Sequence, residues 1–230
     1  MLLHGFLPSL IEGAAVTLAV ALSSLLVAAA LGLAGALAKL SRSRMLQAIA
    51  ATYTTLIRGV PDLVLMLLVF YGGQVAINTV APMLGHEDYI DIDPFIAGVL
   101  TIGFIFGAYL TEAFRGAFLA VPPGQREAGL AYGMSPRQVL WRITLPQMLR
   151  HALPGLSNNW LVLIKSTAIV SVIGLSDVMT RGQQAAGTTR EPFSFYLAVA
   201  LIYLVFTSVS ELGFAWANRR LAIGVKKGAL

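Results

Sequence analysis

The sequence predicts an all-α membrane protein of five transmembrane helices, with the N-terminus outside (periplasmic) and the C-terminus inside (cytoplasmic). Three observations predict it. Hydrophobic residues make up 57% of the 230-residue chain and charged residues only 12%, against about 25% charged in a soluble domain. The apolar residues gather in five runs that meet the ~20 residues a helix needs to cross a bilayer. Lys and Arg crowd into alternate connections, as the positive-inside rule requires. The net charge of +5 is thereby assigned to inside loops and not to a nucleic-acid surface. There is no cysteine, which excludes disulfides and thiolate metal sites. The three histidines, His4, His86 and His151, are too scattered for a metal cluster.

Residues 1–11 hold no Lys or Arg, so a cleaved leader fits poorly. The first span covers about 14–37, and Lys39, Arg42 and Arg44 follow it. The second covers about 52–81. Near its inside start stands Arg58-Gly59-Val60-Pro61-Asp62, where Gly and Pro predict a broken or re-angled helix. The next connection carries Glu87, Asp88, Asp91 and Asp93 without a basic residue, and reads as external. The third span, about 94–114, contains Gly103 and Gly107, a GxxxG pair that permits close helix packing. Arg115, Arg126, Arg137, Arg142 and Arg150 then mark a long inside segment. The fourth span covers about 153–175. The connection 177–192 is external, and Gly182 and Gly187 predict a flexible loop there. The fifth span covers about 193–217, and Arg219, Arg220, Lys226 and Lys227 hold the end of the chain inside. Inside segments carry three, five and four basic residues and outside ones two. One transmembrane domain over 1–230 accounts for the chain, with no internal repeat.

The inside segment 122–146 has the most particular pattern. Glu127-Ala128-Gly129-Leu130-Ala131-Tyr132-Gly133 predicts a short helix lying along the membrane face. Ala128, Gly129 and Ala131 keep one side thin enough for another protein to approach. Glu127 offers a charge to an arginine or a backbone amide. Gly133 ends the helix in a left-handed conformation, and Ser135-Pro136 starts another as N-cap and first residue. Ile143, Leu145 and Pro146 complete an E-A…G…I-x-L-P spacing. By residue types alone, an ordinary interfacial helix between spans explains the segment better; the full spacing, with Ile143, Leu145 and Pro146 in register, reverses that preference.

Taken with Thr55-Leu56-Ile57-Arg58-Gly59-Val60-Pro61, Tyr109 to Gly116, Gly124 to Ala128, Leu153-Pro154 and Lys165-Ser166-Thr167, that spacing resembles the permease subunits of type I ABC importers of the polar amino acid family. Arg58 to Leu68 most resembles the branch that serves histidine, lysine, arginine and ornithine. Gly129 departs from the family, which usually has a second alanine there. The resemblance implies a bacterial inner-membrane permease that moves a basic amino acid by alternating access. It implies a paralogous M-type permease partner, two copies of an ATPase subunit that bind ATP and Mg, and a periplasmic amino-acid-binding protein. Residues 122–146 would be the coupling loop, with Glu127, Ala128, Gly129, Gly133, Ile143, Leu145 and Pro146 meeting the ATPase. The chain has no G-x-x-x-x-G-K-[ST] phosphate loop, so ATP chemistry falls to a partner and the chain needs no cofactor.

Arg58, Asp62, Glu112 and Lys165 fall within or at the ends of spans. A charge at the bilayer centre costs on the order of 3 kcal/mol, so each faces a cavity or a partner. Asp62 either meets a cationic solute or pairs with Arg58, four residues earlier on one helix face. Glu112 pairs with Arg115 or Arg58, or lines the path. Lys165 snorkels to an interface or meets a solute carboxylate. Three other readings remain. An opine or other polar amino acid would fit the same family. A self-contained carrier or channel would leave the loop pattern unexplained. A membrane enzyme would need an H-E-x-x-H or G-x-S-x-G constellation, which is not present.

Overall fold

The computed structural model describes residues 2–85 and 88–221. His86, Glu87, Lys226 and Lys227 lie outside the described residues. The elements are α1 (Leu7–Leu40), α2 (Arg44–Gly59), α3 (Asp62–Val80), α4 (Pro94–Leu119), α5 (Pro123–Ala131), α6 (Pro136–Val139), α7 (Leu145–Ser166), α8 (Val178–Thr189) and α9 (Pro192–Leu221). A π-helical turn, Leu140–Thr144, joins α6 to α7, and a 3-10 turn, Thr167–Ile173, extends α7. Among the described residues, five helices are long and apolar enough to cross a membrane: Leu7–Leu40, Asp62–Leu84, Pro94–Leu119, Pro136–Ile173 and Pro192–Arg220.

The helix α4 is central. Two thirds of its most apolar stretch is buried, whereas α3 and α9 are only 11% buried. Small residues make that centrality workable. A β-carbon on Gly103 would lie 2.6 Å from Val27, and one on Gly107 2.9 Å from Leu31 Cβ. On the facing helix, a β-carbon on Gly32 would lie 2.6 Å from Leu110 Cβ. The GxxxG pair thus serves the packing of α4 on α1, where backbone approaches backbone. Opposite, Val170 seats on Gly98 and Ala113 on Gly155, so α7 runs antiparallel to α4. Trp160 Nε1 donates to Ser210 Oγ at 2.8 Å and ties α9 to α7.

Two expectations change. The second apolar run is not one helix from residue 52. The chain breaks at Val60-Pro61, and Val60 is extended at φ −111°, ψ 138°. Proline forces this, because it has no amide to give and crowds the residue before it. The segment α2 therefore stands apart from the span and lies across α1 and α4. Its Tyr53 hydroxyl donates to the Phe104 carbonyl at 2.5 Å. The predicted break is real; the span itself begins at Asp62.

The connection 177–192 is a helix, α8, and not a flexible loop. Asp177 caps it, accepting from the Thr180 amide at 2.8 Å, and Thr17 Oγ1 accepts from the Val178 amide at 3.1 Å. Gly182 is a packing glycine: a β-carbon there would lie 2.5 Å from Val199. Leu10, Val178, Ala185, Ala186, Phe195 and Val199 form a second small core under α8. Arg181 closes it, donating to Glu12 Oε2 at 2.7 Å and Ser9 Oγ at 3.2 Å.

Candidate functional site

The connection between α4 and α7 is built by local rules that its residues dictate. Pro122-Pro123 stops α4 from continuing and starts α5. The helix ends in a Schellman motif. Gly133 takes φ +79°, its amide donates to the Leu130 carbonyl at 3.0 Å, and the Met134 amide donates to the Gly129 carbonyl at 3.1 Å. Ser135 then forms a capping box with Gln138: the Gln138 amide donates to Ser135 Oγ and the Ser135 amide to Gln138 Oε1 at 2.8 Å. Pro146 cannot donate to the Arg142 carbonyl four residues back, and its ring crowds that carbonyl. The backbone widens to a π turn there, with the Leu145 amide reaching the Leu140 carbonyl.

These devices turn Ile143 back over α5. Gly129 is buried, and a β-carbon on it would lie 2.7 Å from Ile143 Cδ1, 3.1 Å from Val139 Cγ2 and 3.5 Å from Met134 Sδ. This corrects the placement of Gly129 on a thin outer side: it faces its own loop. Glu127, Ala128 and Ala131 are on the exposed side as expected, Gly133 and Pro146 are exposed, and Leu145 packs on the main core. The same connection exposes Leu130, Tyr132 (90%) and Trp141 (70%). Apolar surface of this kind at the end of a membrane bundle suits contact with another protein or with the membrane interface. Tyr132 and Trp141 escaped sequence reasoning, although two aromatics within an Arg-rich connection were a usable signal.

The charges in the spans divide into two groups. Glu112 joins Lys39, whose ammonium donates to Glu112 Oε1 and, at 2.6 Å, to Thr54 Oγ1. Arg115 approaches Glu112 at 3.8 Å. The cluster thus fastens α1, α2 and α4 together. Lys39 was legible only as a loop charge, because its partner is far away in sequence. Arg58 lies over the Tyr109 ring at 5.3 Å, one helical turn from Glu112. It makes no ion pair with Asp62 within 4 Å, and neither does any other described residue. The break at Val60-Pro61 removes the shared helix face that such a pair requires. Asp62 is half-buried at the first turn of α3, with its carboxylate uncommitted. Lys165 is exposed in the last turn of α7. By the register of α7 on α4 it stands roughly 13 Å of helix rise from Glu112, so the four charges do not form one cluster. Among the described residues no group of His, Asp and Glu could hold a metal ion.

Comparison with known proteins agrees with this architecture. Residues 28–223 match the family described as binding-protein-dependent transport system inner membrane component. The chain is 54% identical, over the full length of both, to the histidine/lysine/arginine/ornithine transport system permease protein HisQ of Salmonella typhimurium. It is 43% identical to the octopine transport system permease protein OccQ of Rhizobium radiobacter, covering 95% of this chain and 92% of the relative. A crystal structure of an amino acid ABC transporter with histidines superposes with TM-score 0.78 at 31% identity, covering 93% of this chain and 94% of that one. With five apolar spans and a family match over most of its length, the chain belongs to the binding-protein-dependent transport system inner membrane components, as a multi-pass permease.

Proposed function

We propose that this chain is one of two permease subunits of an ATP-driven importer that carries a basic amino acid from periplasm to cytoplasm. The observation that carries the reading is 54% identity along the entire length of both chains to a histidine/lysine/arginine/ornithine permease. The Lys and Arg distribution sets the sidedness: the end bearing Lys39, Arg115 and Arg219 is cytoplasmic. On that side the α4–α7 connection couples to two copies of an ATPase subunit, which bind ATP and Mg; this chain supplies no nucleotide site. Glu127, Leu130, Tyr132 and Trp141 form the handle. A periplasmic binding protein delivers the solute, and an M-type paralogue completes the path. Closure of the ATPases pulls the handles together, and the spans open outward; hydrolysis reverses the motion. Asp62 offers a carboxylate to the cationic end of the solute. A second reading, an opine as solute, rests on the 43% identity to an octopine permease.

The test is reconstitution with the partner permease, the ATPase and the binding protein. ATPase rate is measured with binding protein loaded in turn with histidine, lysine, arginine, ornithine or octopine. Stimulation by the basic amino acids and not by octopine is expected; the opposite order transfers the assignment to opines. Glu127→Lys abolishes uptake with membrane insertion intact, and normal uptake in that variant overturns the role given to the connection.

A further inference from the structure

Another charge inside the spans has a different setting. Glu211 lies in the apolar span Pro192–Arg220, about 14 Å of helix rise from Arg220. Contacts on the neighbouring helices fix the level. Ser210 accepts from Trp160, and Gly155 meets Ala113 on α4. Glu211 therefore lies level with Tyr109, the ring that carries Arg58.

Glu211 opens into a cavity of about 340 Å³ between α7 and α9, with Ser157, Asn158, Pro154 and Asn218 in its wall. Glu211 and Asn218 are seven residues apart, two turns along one face. The notch thus gathers a carboxylate, two amides and a hydroxyl beside apolar Leu153, Leu161 and Phe214. No described cation pairs with Glu211 within 4 Å. The cavity on the other side of the same two helices differs. Leu22, Leu25 and Gly213 line it, and its Ser210 hydroxyl is already engaged by Trp160. That side suits acyl chains. The Glu211 side does not, because unpaired amides and a carboxylate are not left against lipid.

We propose that Glu211 is a second anionic contact for the cationic side chain of the transported solute, held in this polar notch. The inference rests on the reading of the chain as a basic amino acid permease. A notch whose one charged group is a carboxylate, with amide and hydroxyl oxygens beside it, fits an ammonium or guanidinium.

The test uses the full assembly in proteoliposomes and compares Glu211→Gln with the parent for lysine and for histidine at two external pH values. Histidine is mostly charged at pH 5.5 and mostly neutral at pH 8, because its side chain titrates near ~6.5. The mutant-to-parent ratio cancels the response of the binding protein. For lysine the ratio falls on the order of tenfold at both pH values, the worth of one charge-assisted hydrogen bond. For histidine it falls at pH 5.5 and recovers at pH 8. Glu211→Asp restores most lysine uptake. An equal loss for histidine at both pH values, or loss of partner subunits on purification, makes Glu211 structural and overturns the proposal, as does an unchanged ratio. Absence of basic amino acid uptake by the parent instead removes the underlying reading, and the inference with it.

Discussion

Gly129 and Ile143 are in contact: a β-carbon on the glycine would lie 2.7 Å from the isoleucine Cδ1. The helix α5 is thereby clamped by its own π turn, so that a push on the exposed Glu127 side passes to α7 as to a rigid lever. An alanine at 129 needs only a shift of the Ile143 terminal methyl and a small movement of Val139. It also gains about 1 kcal/mol of helix propensity. Gly129→Ala is therefore expected to keep near-parental uptake. Gly129→Leu has no room and should uncouple ATP hydrolysis from uptake while the protein still inserts. Normal coupling in the leucine variant would show that the clamp transmits nothing.

The Lys39–Glu112 pair is predicted to act as one unit. A double-mutant cycle of Lys39→Gln and Glu112→Gln, read by thermal unfolding in detergent, should give a coupling energy of about 2 kcal/mol, as for a partly buried charge-assisted hydrogen bond. Additive single effects would mean that the pair does not act as a unit in holding α1 to α4.

Asp177 supplies a pH prediction. Its carboxyl is 1% exposed, and one oxygen has no hydrogen-bond partner among the described residues. Burial pushes its pKa above the usual carboxylate range, against the pull of the Thr180 hydrogen bonds. The folded state thus holds this proton more tightly than the unfolded chain does. The ionised form costs stability above the folded pKa, and the cost disappears as pH falls below the ordinary value near ~3.9. Relative to Asp177→Asn, the parent should gain thermal stability between pH 7 and pH 4.5. At pH 7 the asparagine variant should unfold no lower than the parent, since it keeps the cap on the Thr180 amide. Asp177→Ala should lose about 1 kcal/mol. A parent-minus-Asn difference that does not move with pH would remove the buried charge as its cause.

Asp62→Asn should lower lysine and arginine uptake on the order of tenfold, with ATPase and partner permease still co-purifying at parental ratio. Equal uptake in mutant and parent at matched membrane levels takes Asp62 out of the solute path.

What the residues alone determined is what short-range physics controls. Five apolar runs had to become spans, because nothing else satisfies their backbone in lipid. Proline at 61 had to break the second run, and Gly133 with Ser135-Pro136 had to punctuate the α4–α7 connection, since caps and φ limits act within a few residues. The tertiary structure decided which face met which neighbour. Gly129 turned inward because the π turn at Pro146 brought Ile143 over it. Lys39 found Glu112 across 73 residues, and the glycine-bearing stretch after Asp177 became a helix because Val199 and Leu10 needed a smooth surface to pack on. Such choices depend on shape complementarity between segments far apart in the chain, which no local pattern encodes.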